Sequence, residues 1–303
     1  MSAPATTRPV PAQRQRPASR RRRVTPGKVA AYVVLTLAAI PVLFPVYYAF
    51  VGSVMGPGDL AAYPPSVWPS ALDPFADRHL PLHPQNFLGV FDSIPLARQY
   101  LNSAIQSGII TVAQLVTSVL AAYAFAFLRV WARAATFGLF LATLMVPWEA
   151  IIIPNYLTLS GWGLANTYAG LVLPFLASAF GTFLLRQAFL QFPTDLRDAA
   201  VMDGCGHGRF LWTILVPLSR PSIAAVGVYV FLSAWNQYFW PLIITRDAHM
   251  QTLQIGISQL QDAEAADPGL ALAGVVLSLL PTLAIVVFGQ RYIVRGLTAG
   301  ALR

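Results

Sequence analysis

The sequence predicts an all-α integral membrane protein with six transmembrane helices and both termini on the cytoplasmic side. Of its 303 residues, 56% are apolar and only 11% are charged, a composition that excludes an ordinary soluble domain. The mean hydropathy is +0.59. Apolar runs of about 18 or more residues indicate membrane-spanning helices, and the chain contains six of them.

The six predicted spans are Val29–Val54, Tyr100–Phe127, Ala134–Ile153, Tyr168–Phe189, Ser222–Thr245 and Gly269–Tyr292. All but the second contain proline, which would weaken a helix in water. In a membrane bundle, neighbouring helices can supply hydrogen bonds to the carbonyls that a proline frees. The prolines are therefore compatible with six spans.

The arginines set the predicted orientation. They lie before the first span, in the loop near residues 129–133, in the segment 191–221 and after the last span. The alternate loops carry most of the acidic residues instead. Since Lys and Arg mark cytoplasmic loops, both termini and the segment 191–221 are expected inside. The net charge of +8 then reflects topology, and we expect no nucleic-acid partner.

Composition predicts the disordered tail, and the boundary of the core near residue 98 is implied by the family resemblance given below. Residues 1–27 are rich in Pro, Arg, Ala and Ser, and are expected to form a disordered basic cytoplasmic tail. Residues 28–97 hold the first transmembrane helix, expected to be uncleaved, and a periplasm-side loop. Residues 98–292 form the core of helices two to six, and residues 293–303 a cytoplasmic tail. The arginines at 20–23 either contact anionic membrane lipid or act only as an orientation signal, which we favour.

The segment 191–221 is too polar to lie in a bilayer, and its first half predicts a helix over Thr194–Asp203. Pro193 suits a first helical turn. Asp195 and Asp198 follow in the early turns, where carboxylates favour the positive end of the helix dipole. Gly204 is placed to end the helix in a left-handed conformation.

The second half of the segment predicts a short helix over Arg209–Val216 that ends at Pro217. In the first helix, Ala199 and Ala200 are expected to give a surface with little side chain. Such a helix suits contact with another protein.

These residues carry a resemblance to a known family. DAAVMDG, followed by Ile214 and Leu215-Val216-Pro217, resembles the EAA loop of binding-protein-dependent ABC importer permeases. Asp198 stands where the family has Glu, and Cys205 where it has Ala. The resemblance implies the type I permease core and an ATPase-coupling role for Asp198, Ala199, Ala200, Asp203, Gly204 and Pro217.

Further stretches resemble the second permease subunit of carbohydrate importers, and most closely the glycerol-3-phosphate type. They are LVLPFLASAFGTFLLRQAF, WNQYFWPLIIT and QRYIVRGLTAGAL, within residues 98–303. The resemblance implies a heterodimer with a second permease in the bacterial cytoplasmic (inner) membrane, two cytoplasmic ATPase subunits and an extracytoplasmic binding protein. The solute would be glycerol-3-phosphate, a glycerophosphodiester or otherwise an oligosaccharide, imported by alternating access.

Polar residues within the spans are candidates for a translocation path. Glu149 is the only acid inside a predicted span, and a charge at mid-bilayer costs about 2.5–3.5 kcal/mol on insertion scales. It either faces the path or tethers another helix. Asn236 and Gln237 either hydrogen-bond across helices or line the path. Arg186 lies near the cytoplasmic end of its span, where we expect it to reach the interface.

Two other classes of membrane protein are alternatives to an ABC importer permease. An ion-coupled secondary transporter would use midplane ionisable residues, and only Glu149 qualifies. A membrane-embedded enzyme would need a cluster of acids or histidines, and these are scattered along the sequence. The chain has no phosphate-binding G-x-x-x-x-G-K-[ST] motif, so we expect partner subunits to hydrolyse ATP, and we expect no metal or cofactor. Both alternatives leave the D-A-A-x-x-D-G spacing unexplained.

The predicted orientation can be tested at Cys205, the one cysteine of the chain. Because segment 191–221 is expected inside, an impermeant thiol reagent should label Cys205 in permeabilised cells and leave it unlabelled in intact cells. Strong labelling of Cys205 in intact cells would contradict the predicted topology and place the segment outside.

Overall fold

The structure is a computed structural model that describes residues 26–63, 66–72, 74, 80–129, 131–262 and 267–298, with side chains given except at 262 and 291–298. The described residues divide into two compact units between Tyr47 and Tyr48. Residues 1–25 of the predicted tail and 299–303 lie outside the described residues. The last helix continues to Thr298, past the predicted end at Tyr292.

The described residues are helical, and no strand occurs among them. The helices are α1 Pro26–Gly52, α2 Pro57–Leu60, α3 Asn86–Ser93, α4 Leu96–Phe127, α5 Arg133–Ala142, α6 Trp148–Gly161, α7 Tyr168–Val172, α8 Ala179–Leu190, α9 Thr194–Met202, α10 His207–Arg209, α11 Val216–Leu218, α12 Arg220–Trp235, α13 Phe239–Ile244, α14 Leu253–Asp262 and α15 Pro268–Thr298. Tighter turns occupy Ser70–Leu72, Thr143–Met145 and Leu173–Phe175, and a wide π-turn joins α10 to α11 at Phe210–Leu215.

Among the described residues, α1, α4 and α15 are each long and apolar enough to cross a membrane unaided. Three bent helix pairs also qualify by length and composition, so the chain has six spans if each pair crosses once. The all-α prediction with six spans is confirmed in this form. The predicted continuity of the third, fourth and fifth spans is wrong.

The third span breaks at Val146 and Pro147. Residues 133–145 and Trp148–Gly161 meet at 90°, in place of one helix over Ala134–Ile153. Proline disfavours the helical conformation of the residue before it, and Val146 accordingly has an extended backbone with ψ 115°. Pro147 is itself extended, and α6 starts directly after it.

The fourth and fifth spans break for related reasons. Residues 168–175 and α8 meet at 48°, where Pro174 lies in a tight turn and Ser178 begins α8 by accepting a hydrogen bond from the backbone N–H of Gly181 at 3.1 Å. The predicted fifth span, Ser222–Thr245, is interrupted after Trp235 and resumes at Phe239. At its inner end, residues 207–218 and α12 meet at 78°.

The three breaks meet in one aromatic cluster. Trp148, at the third-span break, lies with its ring centroid 4.7 Å from that of Phe175, at the fourth-span break. Both rings contact Trp240, just past the fifth-span break, at 5.9 and 6.2 Å. Trp240 also donates from its indole nitrogen to the carbonyl of Gly170 at 3.1 Å. A displacement of one break therefore presses on the other two.

Helix α4 lies at the centre of the bundle and packs against both α8 and α12. Its side chains reach the fourth-span break: Gln114 donates to the Phe175 carbonyl at 2.7 Å. The Thr117 hydroxyl shares its one proton between the Leu176 carbonyl at 3.0 Å and the Ala113 carbonyl of its own helix at 2.8 Å. Gln106, itself buried, donates to the side-chain oxygen of Gln237 at 2.7 Å. Helix α4 thus contacts the breaks of the fourth and fifth spans directly.

The opposite end of α4 binds the segment after α13. Asn102 donates to the carbonyls of His249 and Gln251, both at 2.8 Å, and accepts from the hydroxyl of Tyr168 at 2.7 Å. Ser103 accepts from the backbone N–H of Leu253 at 2.9 Å. These bonds fix α4 to the fourth and fifth spans at this end as well.

Candidate coupling loop and translocation path

The predicted first helix of segment 191–221 is present as α9, Thr194–Met202. Asp195 lies in its first turn, and both Asp195 and Asp198 are exposed. Ala199 is exposed, but Ala200 is 6% exposed and packs into the main apolar core. The prediction that both alanines form the contact surface is therefore wrong for Ala200, because one helical position separates the outer face from the inner face.

The end of α9 is a Schellman motif. The backbone N–H of Cys205 donates to the carbonyl of Ala200 at 2.9 Å, and that of Gly204 to the carbonyl of Val201 at 3.0 Å. This pattern satisfies the last carbonyls of a helix and needs a left-handed residue after it. Gly204 supplies that conformation with φ +71°, following Asp203, which is exposed. The predicted role of Gly204 in ending the helix is confirmed.

The exposed face of α9 combines acids with apolar side chains. Met202 is 87% exposed, Val201 61% and Leu196 46%, beside the carboxylates of Asp195 and Asp198. The sequence prediction rested on the acids and alanines alone. The missed signal is the three large apolar residues of α9 itself, in a helix whose other side chains are polar or small.

The second helix of the loop is longer than predicted and contains Pro217. It runs from His207 to Leu218 with the π-turn Phe210–Leu215 inside it, so the prediction that it ends at Pro217 is wrong. A proline in a helix clashes with the carbonyl four residues earlier, and a π-turn inserts an extra residue just before such a site. The half-buried Pro217 lies one residue before the helix end, where the Ser219 N–H bonds the Leu215 carbonyl at 2.9 Å.

The loop also contacts the end of α4, through residues that sequence analysis did not single out. The Tyr123 hydroxyl lies 2.8 Å from Nδ1 of His207, and their rings meet edge to face at 6.1 Å. Phe127 of α4 packs edge to face on Phe210 at 5.9 Å. The sequence offered two signals for this contact. One was the run of aromatic residues at the predicted end of the second span, and the other was the histidine in the loop.

Glu149 lies in the first turn of α6, directly after the third-span break, and is exposed on this chain. A carboxylate in the first turn of a helix is favoured by the helix dipole. Met145 and Val146, just before the break, are 85% and 50% exposed. Glu149 therefore opens onto a surface made mostly of apolar side chains.

Asn236 and Gln237 lie in the break of the fifth span and differ in environment. Gln237 is half-buried and accepts the hydrogen bond from Gln106, so it bonds across helices. Asn236 is exposed, donates to the Leu232 carbonyl at 2.8 Å, and lies 3.5 Å from the side-chain nitrogen of Gln254. Of the two amides, Asn236 is the one that opens onto the surface of the chain.

Arg186 is held by its own bundle. Its guanidinium lies 4.2 Å from the ring centroid of Phe137, and its Nε donates to the carbonyl of Phe125 at 3.3 Å. No three His, Cys, Asp or Glu residues lie close enough to hold a metal ion within the ranges that the structure describes.

A bundle of continuous and broken apolar spans, carrying an exposed polar helix that ends in a left-handed glycine, defines a membrane permease. Residues 87–299 match the model of the family described as binding-protein-dependent transport system inner membrane component. The chain belongs to this family and is a permease subunit of an ABC importer. The family disfavours the secondary-transporter and enzyme alternatives.

Individual relatives agree with the family. The chain is 38% identical over 276 residues to the sn-glycerol-3-phosphate transport system permease protein UgpE of Agrobacterium fabrum, covering 89% of this chain and 96% of that protein. It is 35% identical over 277 residues to the protein of the same name from Yersinia pestis, covering 89% and 95%. The resemblance stated from the sequence is confirmed.

A solved structure shares the fold. One chain in the crystal structure of a bacterial ABC transporter involved in the import of the acidic polysaccharide alginate superposes with a TM-score of 0.73. It is 21% identical to this chain and the match covers 87% of this chain and 95% of that one.

The end of α9 yields a test at Gly204. A side chain other than glycine in the left-handed region costs about 1–2 kcal/mol, while the space around Gly204 is open within the chain. Gly204→Val should therefore leave membrane abundance normal but abolish transport by the purified complex, because the strain opens the Schellman motif. Binding-protein-stimulated ATP hydrolysis and uptake are measured together.

Two controls separate strain from bulk. Gly206 also has open space around it, but its φ of −70° is ordinary for any residue, so Gly206→Val should transport. Asparagine tolerates the left-handed region, so Gly204→Asn should retain most uptake. Parental transport by Gly204→Val would show that this turn is not a mechanical joint.

Proposed function

We propose that this chain forms half of a heterodimeric permease that imports sn-glycerol-3-phosphate or a glycerophosphodiester. Two cytoplasmic ATPase subunits and an extracytoplasmic binding protein complete the importer. The observation that carries the solute assignment is the similarity to sn-glycerol-3-phosphate permeases at 35–38% identity over 89% of this chain. Both termini and the loop 191–221 lie on the cytoplasmic side, as the arginine distribution favours.

The exposed face of α9 is the proposed ATPase contact. Its apolar side chains Leu196, Val201 and Met202 supply the kind of surface that a partner buries. Asp198 is exposed beside them and is proposed to pair with a basic group of the ATPase. Ala199 allows close approach on the same face. Ala200, Asp203, Gly204 and Pro217 act from within the loop by fixing its shape.

The proposed transport cycle is alternating access driven through the loop. Closure of the ATPase dimer on ATP binding displaces α9, and the bundle opens outward to receive solute from the binding protein. Hydrolysis and separation of the ATPases restore the inward-facing state. The breaks of the third, fourth and fifth spans supply joints at which the bundle can change shape.

The path through this chain is proposed to run past Glu149 and Asn236, the exposed polar groups next to two of the breaks. Gln237 does not bind solute through its side-chain oxygen, because that oxygen already accepts a hydrogen bond from Gln106. Its proposed role is to hold the fifth-span break in place beside the path. Asn236 can bond solute hydroxyls, since an amide both donates and accepts. Arg186 is engaged with Phe137 and Phe125, so we assign phosphate recognition to the binding protein or the second permease.

Uptake by the reconstituted complex tests this function. The chain is assembled in proteoliposomes with its second permease, ATPase and binding protein. Labelled sn-glycerol-3-phosphate should accumulate only with ATP and binding protein, and glycerophosphodiesters should compete. Accumulation of maltose-type oligosaccharides in its place would contradict the solute assignment.

Matched variants of Asp198 tie that uptake to this chain. Asp198→Lys reverses the charge proposed to meet the ATPase and should reduce both uptake and recovery of the ATPase with the complex. Asp198→Glu keeps the charge and should transport. Full uptake with Asp198→Lys would leave the carboxylate with only a helix-dipole role.

A further inference from the structure

The covalent connections of the loop to α8 and α12 do not by themselves fix its position against the bundle. On one side it joins α8 through residues 191–193, and on the other it meets α12 at the 78° bend. Between α8 and α12 runs a groove of about 650 Å³, lined mainly by apolar side chains such as Leu184, Phe192, Leu196, Leu218, Val226 and Tyr229. The two neighbouring spans therefore leave one side of the base of the loop open. A third element contributes to holding it.

That element is the end of α4, which contacts the loop within and after α9. Phe210, after α9, packs on Phe192, before α9, with ring centroids 5.8 Å apart at 90°. Phe127 of α4 also packs on Phe210, with ring centroids 5.9 Å apart. Arg197, within α9, lies with its guanidinium 5.3 Å from the Phe127 ring centroid. Two parts of the loop, α9 and the segment after it, thus contact α4 directly, and the part before α9 reaches α4 through Phe210.

One directional bond lies in this aromatic cluster. Tyr123 is 6% exposed, packs against Phe127 at 5.4 Å and Phe210 at 6.4 Å, and places its hydroxyl 2.8 Å from Nδ1 of His207. Apolar packing is non-directional and lets surfaces slide. A hydrogen bond weakens steeply with distance and angle, so this one resists sliding between the loop and α4.

Helix α4 leads from this bond to the joints of the bundle. Gln114 and Thr117 bond the carbonyls of Phe175 and Leu176 at the fourth-span break, and Gln106 bonds Gln237 at the fifth. The third break follows through the ring of Trp148 on Phe175. A continuous set of contacts therefore runs from the loop to all three breaks.

We propose that Tyr123 and His207 are positioning residues that fasten the coupling loop to α4, so that ATPase closure displaces α4 and, with it, the three breaks. This proposal rests on the proposed import function. It states that the displacement of the loop reaches the bundle through α4, the second span. Without the bond, the loop slides on α4 and ATP is hydrolysed without a full displacement of the bundle.

The test measures solute imported per ATP hydrolysed by the reconstituted complex. Tyr123→Phe keeps the ring packing and removes only the hydroxyl. Loss of one hydrogen bond corresponds to about a three- to tenfold change in an equilibrium, so solute per ATP should fall by about that factor while ATP hydrolysis and subunit abundance persist. His207→Ala should have the same effect. The double variant should fall no further, since both changes remove one interaction.

Two variants serve as controls. In His207→Asn the side-chain amide can accept or donate in place of Nδ1, so solute per ATP should recover relative to His207→Ala. Tyr100 lies near the other end of α4, where its hydroxyl donates to the Leu277 carbonyl. Tyr100→Phe makes the same chemical change away from the loop and should keep the parental ratio.

Three results would overturn the proposal: a parental ratio in Tyr123→Phe, additive losses in the double variant, or a parallel fall of uptake, hydrolysis and abundance. The last would indicate a merely structural contact. If the parental complex itself imports no solute with ATP, the proposed function fails. If it imports and the variants match it, only the positioning role fails.

Discussion

Inside a bilayer, a carbonyl freed by a broken helix needs a hydrogen-bond donor from the protein, because the hydrocarbon offers none. In this permease, α4 supplies donors at the fourth-span break through Gln114 and Thr117. An unsatisfied group there would cost several kcal/mol. Gln106 makes the corresponding bond to the side chain of Gln237 at the fifth-span break. The broken spans are thus stable only while α4 lies beside them.

This dependence explains why a polar face occurs on a helix that is apolar enough to cross the membrane. Ser103, Gln106, Gln114 and Thr117 recur along α4 at intervals that keep them on the side of the bundle interior. Each is buried or half-buried, and each bonds a neighbouring element. Because the aromatic cluster of Trp148, Phe175 and Trp240 then joins the three breaks, the unbroken span α4 is linked to all three broken ones.

The sequence predicted best what local chemistry decides. Helix α9 and its end at Gly204 follow from a proline, early carboxylates and a glycine at the right spacing, and all act within a few residues. The number of spans follows from apolar length, which hydropathy measures well. The family followed from the D-A-A-x-x-D-G spacing around the same glycine.

Direction and pairing could not be predicted in this way. Hydropathy does not register a 90° turn at Val146 and Pro147, because both sides of the turn are equally apolar. The bond between Gln106 and Gln237 joins residues far apart in sequence. From the sequence alone, the amide of Gln237 could either line a translocation path or hydrogen-bond across helices. The burial of Ala200 and the helix through Pro217 depend on what the loop packs against. The bond between Tyr123 and His207 is invisible for the same reason.

The central claim is that the coupling loop and α4 move as one body when the ATPases close. A pulsed spin-label distance tests it most directly, using Cys205 in the loop and a cysteine at Leu120, which is exposed on α4, in a labelled complex that still transports. The account predicts one unchanged distance distribution in the nucleotide-free and ATP-bound states. A distribution that shifts or broadens on ATP binding would show that the loop bends on α4, and would contradict it.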